Sequence, residues 1–291
     1  MSVMPQEHIR KMLKMSDKDY FAIDALSNSD FRLLKESVLH YENKHLFPIS
    51  SASMIIGSAV HCLVLEPHTF QETYIVEDFL HCDKASNTKL YKQNKALWLE
   101  SINAKNVSEK IKIGKDDKSW YYTIDDKIVL SSKNFKSVAE MAERVNAIAG
   151  NFLSNGVAER AFISDFDGVP VKCKADYYRE DLGVVIDLKT TKSIKDFKKS
   201  ILEYGYGTQS AFYTDVISSL GYRVDTFLFI LVETTAPYMV SIQEMSYEGI
   251  EEGRAIYSEL LQTWRDYKEN NIVNVVKTTN YPEWFLERRG A

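Results

Sequence analysis

The sequence predicts an α/β (α+β) fold: a central mixed β-sheet flanked by helices, behind a helix-rich N-terminal portion. Three observations predict it. Residues 158–190 read as three consecutive strands, the middle one with period-two patterning, residues 194–220 as two helices, and residues 226–269 as two more strands and a long helix. That order requires a sheet with helices packed against it. The composition agrees. With 291 residues, 45% hydrophobic and 26% charged, the chain can bury a sizeable core, which excludes a disordered tail, a collagen-like fibre and a disulfide miniprotein.

Each element has a local cause. Ser27-Asn28-Ser29-Asp30 supplies N-cap candidates for a helix through Phe31, Leu33, Leu34 and Val38. Ser51 or Ser53 caps a second, from Met54 to Leu65, which Pro67 ends. Residues 83–118 are Lys- and Asn-rich, with one helix expected around Leu90, Leu97 and Trp98 and then a polar loop. A third helix spans about Phe135 to Ile148. Ala158 to Ile163 reads as a strand. From Val169 to Tyr178 the pattern alternates: Val169, Val171, Cys173, Ala175 and Tyr177 on one face, Lys172, Lys174, Asp176 and Tyr178 on the other. Glu180 to Gly183 is a turn and Val184 to Thr190 the next strand. Helices follow at about 194–203 and 207–220, the second closed by Gly221, then strands Thr226 to Val232 and Tyr238 to Glu244. A helix over about 247–269 carries Ile250, Ala255, Ile256, Leu260, Leu261 and Trp264 on its apolar side. With 6 Pro and 12 Gly scattered and no repeat, residues 1–291 read as one domain, with a helix-rich part over about 1–150 and a sheet core over about 151–270.

A net charge of −5 excludes a protein that coats nucleic acid by bulk charge, but leaves a locally basic groove open. Cys62, Cys82 and Cys173 form neither a CxxC pair nor a disulfide framework, which points to a reducing cytoplasm. No apolar run of membrane-spanning length and no signal-peptide core is expected. The absence of a GxxxxGK[ST] segment argues against ATP as a cofactor.

The chemistry centres on Asp187-Leu188-Lys189, inside the apolar strand Val184 to Thr190. Asp187 and Lys189 share one strand face, and Ile186 and Leu188 the other. A carboxylate and an ammonium entering a buried strand are costly. They read either as an ion pair at a strand end or as part of a site. DxK begins at five positions, Asp116, Asp125, Asp187, Asp196 and Asp266, and only Asp187 has a strand around it. Asp176 lies eleven residues earlier on the polar face of the preceding strand. If the two strands pair through the turn, two carboxylates converge and need a cation between them. Oxygen ligands suit Mg²⁺, and a nearby lysine can orient or deprotonate a bound water or stabilise charge on a phosphate. Gly57 and His61 sit at i and i+4, so the glycine permits close approach and the imidazole can reach a metal; alone, such a histidine on an apolar helix is more often a core residue. Gln209 and Tyr213 form a second i, i+4 pair, and QxxxY recurs at Gln243 and Tyr247.

The ordered set is GxxxH, an isolated Asp, DxK in a strand, then QxxxY in a helix. In this the chain resembles the PD-(D/E)xK nucleases, within them the RecB-type exonuclease branch, and there the phage RecE/exonuclease VIII group. The segments carrying the likeness are Gly57 to Pro67, Val171 to Asp176, Val185 to Thr190 and Gln209 to Tyr213, with Ser27 to Phe31 and Tyr281 to Trp284 at the flanks. The resemblance implies a restriction-endonuclease-like sheet. It implies Asp176 and Asp187 as metal ligands, the Leu188 backbone carbonyl as a third, and His61 as a further ligand or neighbour of the metal. Lys189 would act on the attacking water, and Gln209 and Tyr213 would position substrate. Glu159 would be the accessory acidic residue, or a surface carboxylate. Asp187 stands where the wider superfamily commonly has Glu, a residue one methylene longer.

The implied activity is a Mg²⁺-dependent exodeoxyribonuclease, with Mn²⁺ as substitute, acting on double-stranded DNA ends. The resemblance further implies 5′→3′ digestion leaving 3′ single strands, a homo-oligomeric ring, a single-strand annealing protein as partner, and a phage or prophage gene expressed in a bacterial cytoplasm. No membrane partner is expected. No cysteine follows Cys173, so no iron–sulfur cluster is expected either. Lys172, Lys174, Lys192, Lys195 and Lys199 are candidate DNA-phosphate contacts; the last three share one helical face, which a solvated surface explains equally, while Lys172 and Lys174 share the face of Asp176 and are the better candidates. Ser27 and Ser29 bind a terminal phosphate or simply cap a helix. Two alternatives stand beside the exonuclease: an endonuclease on the same fold, and a non-catalytic module that binds DNA ends.

Overall fold

The structure is a computed structural model and describes residues 12–46, 52–78, 89–108, 111–112 and 120–271. The Tyr281 to Trp284 segment, Ser51, and much of the Lys-rich stretch over 83–118 lie outside the described residues. The N-terminal part runs β1 (Met12–Lys14), α1 (Asp17–Ala22), α2 (Asn28–Glu36), α3 (Val38–Glu42), α4 (Ala52–Leu65), α5 (Phe70–Thr73), β2 (Tyr74–Val76), α6 (Lys89–Ser101), β3 (Ile111–Lys112), β4 (Trp120–Tyr121), β5 (Thr123–Ile124), β6 (Lys127–Leu130) and α7 (Ser132–Ala149). The second part runs β7 (Val157–Phe166), β8 (Val169–Arg179), β9 (Val184–Thr191), α8 (Phe197–Tyr204), α9 (Tyr206–Ser219), β10 (Thr226–Glu233), β11 (Val240–Glu244) and α10 (Tyr247–Asn270). Among the described residues no helix is long and apolar enough to cross a membrane.

The main sheet has the order β1-β7-β8-β9-β10-β11. Only β9 and β10 run parallel; the other neighbours are antiparallel. The sheet is therefore mixed, as the sequence predicts. The N-terminal part is helix-rich, as the sequence predicts, and it also lends β1 to the edge of the main sheet and builds a small sheet of order β2-β6-β5.

Helices cover both faces of the main sheet. On one, α2, α3, α9 and α10 pack Phe31, Leu34, Tyr41, Phe212, Ile217, Tyr257 and Trp264 against Phe162, Val171, Cys173, Val185, Phe227 and Phe229. On the other, α4 and α7 pack Ala59, Val60, Val138, Met141 and Val145 against Ile186, Leu188, Leu228, Ile230 and Val232. The central strands β9 and β10 are buried on both sides, which is why they read as continuous apolar runs.

Two backbone details set how α9 meets its neighbouring helices. Gly205, at φ +68°, joins α8 directly to α9, a left-handed turn that a side chain would oppose. Gly253 of α10 lies so close to α9 that a Cβ there would sit 2.1 Å from the Gly207 carbonyl oxygen. The Gly253→Ala variant should therefore push α10 off α9, at a cost of about 1–3 kcal/mol. Urea unfolding should show a lower midpoint with the slope unchanged. An unchanged midpoint would contradict the close approach.

Candidate active site

Strands β8 and β9 pair only through Tyr177↔Ile186, Tyr178↔Val185 and Arg179↔Val184. The next pair in this register would be Asp176 with Asp187, and there the strands part. In place of a ladder bond, Asp176 Oδ2 accepts the Leu188 N–H at 2.8 Å. On the other side of β8 the β7 register runs Ala158↔Tyr177 and Arg160↔Ala175, so Glu159 stands opposite Asp176. Glu159 has φ +50°, a left-handed conformation that costs a residue with a Cβ.

The alternation expected along Val169 to Tyr178 breaks at this point. Ala175 and Tyr178 pack into the same layer, while Tyr177 joins the opposite one. On β7, Phe162 and Ala158 likewise fall in different layers. Both strands change face at their carboxylates. This corrects the strict alternation predicted from the sequence, and the parting of β8 from β9 is its physical partner.

Helix α4 brings His61 onto this break, with Nδ1 3.4 Å from Asp176 Oδ2. The imidazole also hydrogen-bonds to the Leu188 backbone, whose carbonyl is the acceptor. One turn earlier, a Cβ on Gly57 would stand 3.1 Å from Thr190 Oγ1, so the glycine lets α4 lie against β9. From the other face of the sheet, α9 places Gln209, whose Nε2 donates to Asp187 Oδ1 at 2.7 Å. Lys189 Nζ lies 2.7 Å from Asp187 Oδ2 and 4.9 Å from the centre of the Tyr206 ring. The Lys189–Asp187 contact is one of charge, because Oδ2 receives no well-angled hydrogen bond. Lys174 Nζ bridges Glu159 Oε2 and Asp17 Oδ1, each at 2.6 Å.

Burial and crowding set the electrostatics. Burial, and then the Asp187 charge, push Asp176 up to about 7. Burial, and then Asp176, push Glu159 up to about 7. Burial and the Lys189 charge hold His61 below the usual histidine range, so it is largely neutral at pH 7 and free to ligate. Burial alone would lower Lys189, but Asp187 and Asp176 outweigh it, and the ammonium ends above its ordinary value. Burial raises the Tyr213 phenol well above its ordinary value, so it remains an O–H donor.

His61, Glu159 and Asp176 offer ligand atoms that all lie within 4.8 Å of one another. Two oxygen donors held short of ionisation and one neutral imidazole fit a divalent cation, whose charge would release both protons. The three residues line a cleft of about 1310 Å³, together with Lys174, Lys189, Gln209 and Tyr213. Asp187 is 2% exposed and stands behind them, its two oxygens facing Gln209 and Lys189.

The other sequence-derived candidates divide. Lys172 is corrected. It is buried, and its ammonium donates to the carbonyls of Tyr20 and Ile23 at 2.8 and 2.7 Å, so it holds α1 instead of facing DNA. Lys174 lines the cleft, but its charge is taken by two carboxylates. Lys192, Lys195 and Lys199 are exposed. They do not share one helix: Lys192 follows β9, Lys195 lies in a 3₁₀ turn, and only Lys199, paired with Asp196, is on α8. Ser27 and Ser29 line the cleft, yet the Ser27 N–H and Oγ both donate to Asp30 Oδ2, as a helix cap does. Arg32 and Lys14, which no motif marks, line the same cleft.

Two outcomes test this geometry. Gln209→Leu frees Asp187 and should cost about ten- to a hundredfold in divalent-metal affinity by calorimetry, the usual size for such supporting bonds; unchanged affinity would remove Gln209 from the site. The second outcome concerns pH. Both carboxylates have folded values above their unfolded ones, so their contribution to stability is fully present below about pH 4 and is lost as pH rises past about 7. In EDTA the melting temperature should fall from pH 5 to pH 8. Mn²⁺ should raise it more at pH 8 than at pH 5, and Asp176→Asn should flatten both trends. An equal metal effect at the two pH values would contradict the site.

No curated protein sequence matches the chain. A solved structure of a candidate exonuclease from Eubacterium rectale aligns over 95% of this chain and 98% of its own, with TM-score 0.58 and 13% identity, which establishes a shared fold. A second solved structure, SSO0001, aligns over 45% of this chain and 63% of its own with 15% identity; its TM-score of 0.30 carries no argument. Residues 27–273 match the family described as a PDDEXK-like domain of unknown function (DUF3799), and the chain belongs to that family.

Proposed function

We propose that this protein is a divalent-metal-dependent exodeoxyribonuclease that degrades linear double-stranded DNA from its ends. The convergence of His61, Glu159 and Asp176 beside the Asp187–Lys189 pair, at the floor of an open cleft, carries this reading. His61, Glu159 and Asp176 would hold the cation, with the Leu188 carbonyl beside them and Asp187 behind. When bound, the cation would polarise a phosphate oxygen and lower the pKa of a water. Mg²⁺ is the proposed ion, and the imidazole in the donor set suits Mn²⁺ as well.

The protein's own groups do the rest. Lys189 keeps its proton at neutral pH, so it serves as a charged donor to a phosphate oxygen or to the attacking water, not as a base. Gln209 fixes the Asp187 carboxylate, which in turn fixes Lys189. The Tyr213 hydroxyl remains a donor at the cleft wall.

The motif order of the phage RecE/exonuclease VIII group supports end-directed digestion, 5′→3′, that leaves 3′ strands for annealing in phage-type recombination. The same likeness supports a homo-oligomeric ring around DNA and a single-strand annealing partner. The name of the Eubacterium rectale neighbour is in line with an exonuclease.

The test is an assay on linear and closed circular double-stranded DNA with Mg²⁺, Mn²⁺ or EDTA. Loss of linear DNA alone is expected, abolished by EDTA and reduced at least a thousandfold by Asp176→Ala or Lys189→Met. Cutting of the circle would convert the reading to an endonuclease. Intact DNA with either metal, with binding retained, would leave a non-catalytic end-binding module.

A further inference from the structure

The cleft has an apolar rim that the hydrolytic chemistry does not use. Phe21 on α1 is 73% exposed, Tyr204 at the end of α8 is 56% exposed, and both line the cleft that holds His61, Asp176 and Lys189. A single exposed ring is ordinary, but two that line the cleft of a candidate active site are placed to meet whatever enters it.

Phe21 is not on a loose segment. Lys174 ties Asp17, in the first turn of α1, to Glu159. Lys172 closes the last turn by donating to the carbonyls of Tyr20 and Ile23. The neighbouring Tyr20 ring is buried, with the Lys172 ammonium 4.7 Å from its centre. Ser16 caps the start by accepting the Asp19 N–H. Two lysines of β8, the strand that carries Asp176, thus hold α1 so that Tyr20 points in and Phe21 points out.

The ligand that fits has a flat apolar face at one end and an anion at the other. A nucleotide answers this: its base stacks on an aromatic ring, and its phosphate needs a cation and Lys189. In a duplex the base faces are covered by their neighbours, and only an unpaired strand exposes them. We infer that Phe21 and Tyr204 form a base-stacking rim, so that the strand entering the cleft is unpaired and the terminal base pairs of a duplex part before reaching the carboxylates. This rests on the nuclease reading and adds the conformation of its substrate. A protein or lipid partner would cover the same rings but has no need of the clustered His61, Glu159, Asp176 and Lys189 beneath them.

The experiment is a cycle between protein and DNA, read by fluorescence anisotropy on the Asp187→Asn background so that DNA is bound and not cut. The probes are a 12-nucleotide single strand, the same strand with abasic residues at one end or the other, a blunt duplex, and that duplex with its ends cross-linked. The single strand should bind more tightly than the blunt duplex. Abasic residues at the engaged end should weaken binding about tenfold, and Phe21→Ala should do the same to the intact strand. Combined, the two changes should cost little more than either alone, and Phe21→Trp should restore the affinity. Additive losses, or a duplex with cross-linked ends that binds as well as the single strand, would overturn the inference. Phe21 is exposed, so its loss leaves the fold intact, and Tyr204→Ala gives an independent second variant. Cleavage by the unaltered protein separates the two claims. Cutting without coupling removes the rim and keeps the nuclease. Coupling without cutting under either metal keeps the rim and removes the nuclease.

Discussion

A β-ladder is normally held together by its own hydrogen bonds, and between β8 and β9 that ladder ends where two aspartates would face each other. Two buried like charges cannot occupy one rung of a sheet without a counter-charge. The strands separate, Asp176 takes the Leu188 amide with its side chain, and the gap opens toward the cleft. The rest of the site depends on that gap. His61 enters from one face of the sheet, and Gln209 reaches Asp187 from the other. Glycine contacts let α4 lie against β9, at Gly57 and Thr190, and let α10 lie against the back of α9, at Gly253 and Gly207.

The charges in the gap form a graded series. Asp187 is the most buried and has the most local support, from Lys189 and Gln209. Asp176 has an amide and a neutral imidazole, and Glu159 has a lysine that it shares with Asp17. Support falls off toward the cleft, and burial and crowding push Asp176 and Glu159 up to about 7. A cation entering from solvent would therefore meet Glu159 and Asp176 before Asp187.

Much of the fold was legible because its signals are local. The strands Val184–Thr191 and Thr226–Glu233 announce themselves by β-branched and aromatic runs, and α10 by its apolar stripe. Asp187 and Lys189 share a face as period two requires, and the i, i+4 spacings place His61 and Gln209 on the inner sides of their helices. What was illegible depends on contacts remote in sequence. Nothing near Lys172 reveals that its ammonium meets carbonyls about 150 positions away, and a lysine on an alternating strand looks solvated until they arrive. The face switch at Glu159 and Asp176 is hidden too, because the alternating pattern continues through Tyr177 on paper while the backbone turns over beneath it. The exposed Lys192, Lys195 and Lys199 could not be told from ordinary surface by composition, and the helix start that would align them lies at Phe197.

The β7–β8 hairpin has a genetic consequence. Its partners keep a constant sum of residue numbers from Val157↔Tyr178 to Phe166↔Val169, across the Asp167–Gly168 turn. Glu159 meets Asp176 only while that sum holds. Adding or deleting one codon in the turn would leave every side chain of the site present and the hairpin able to close, but would move the two carboxylates out of step by one rung. The turn is solvent-facing, where loops ordinarily accept changes in length. Here its length is part of the active site, and relatives that keep the chemistry should keep the count.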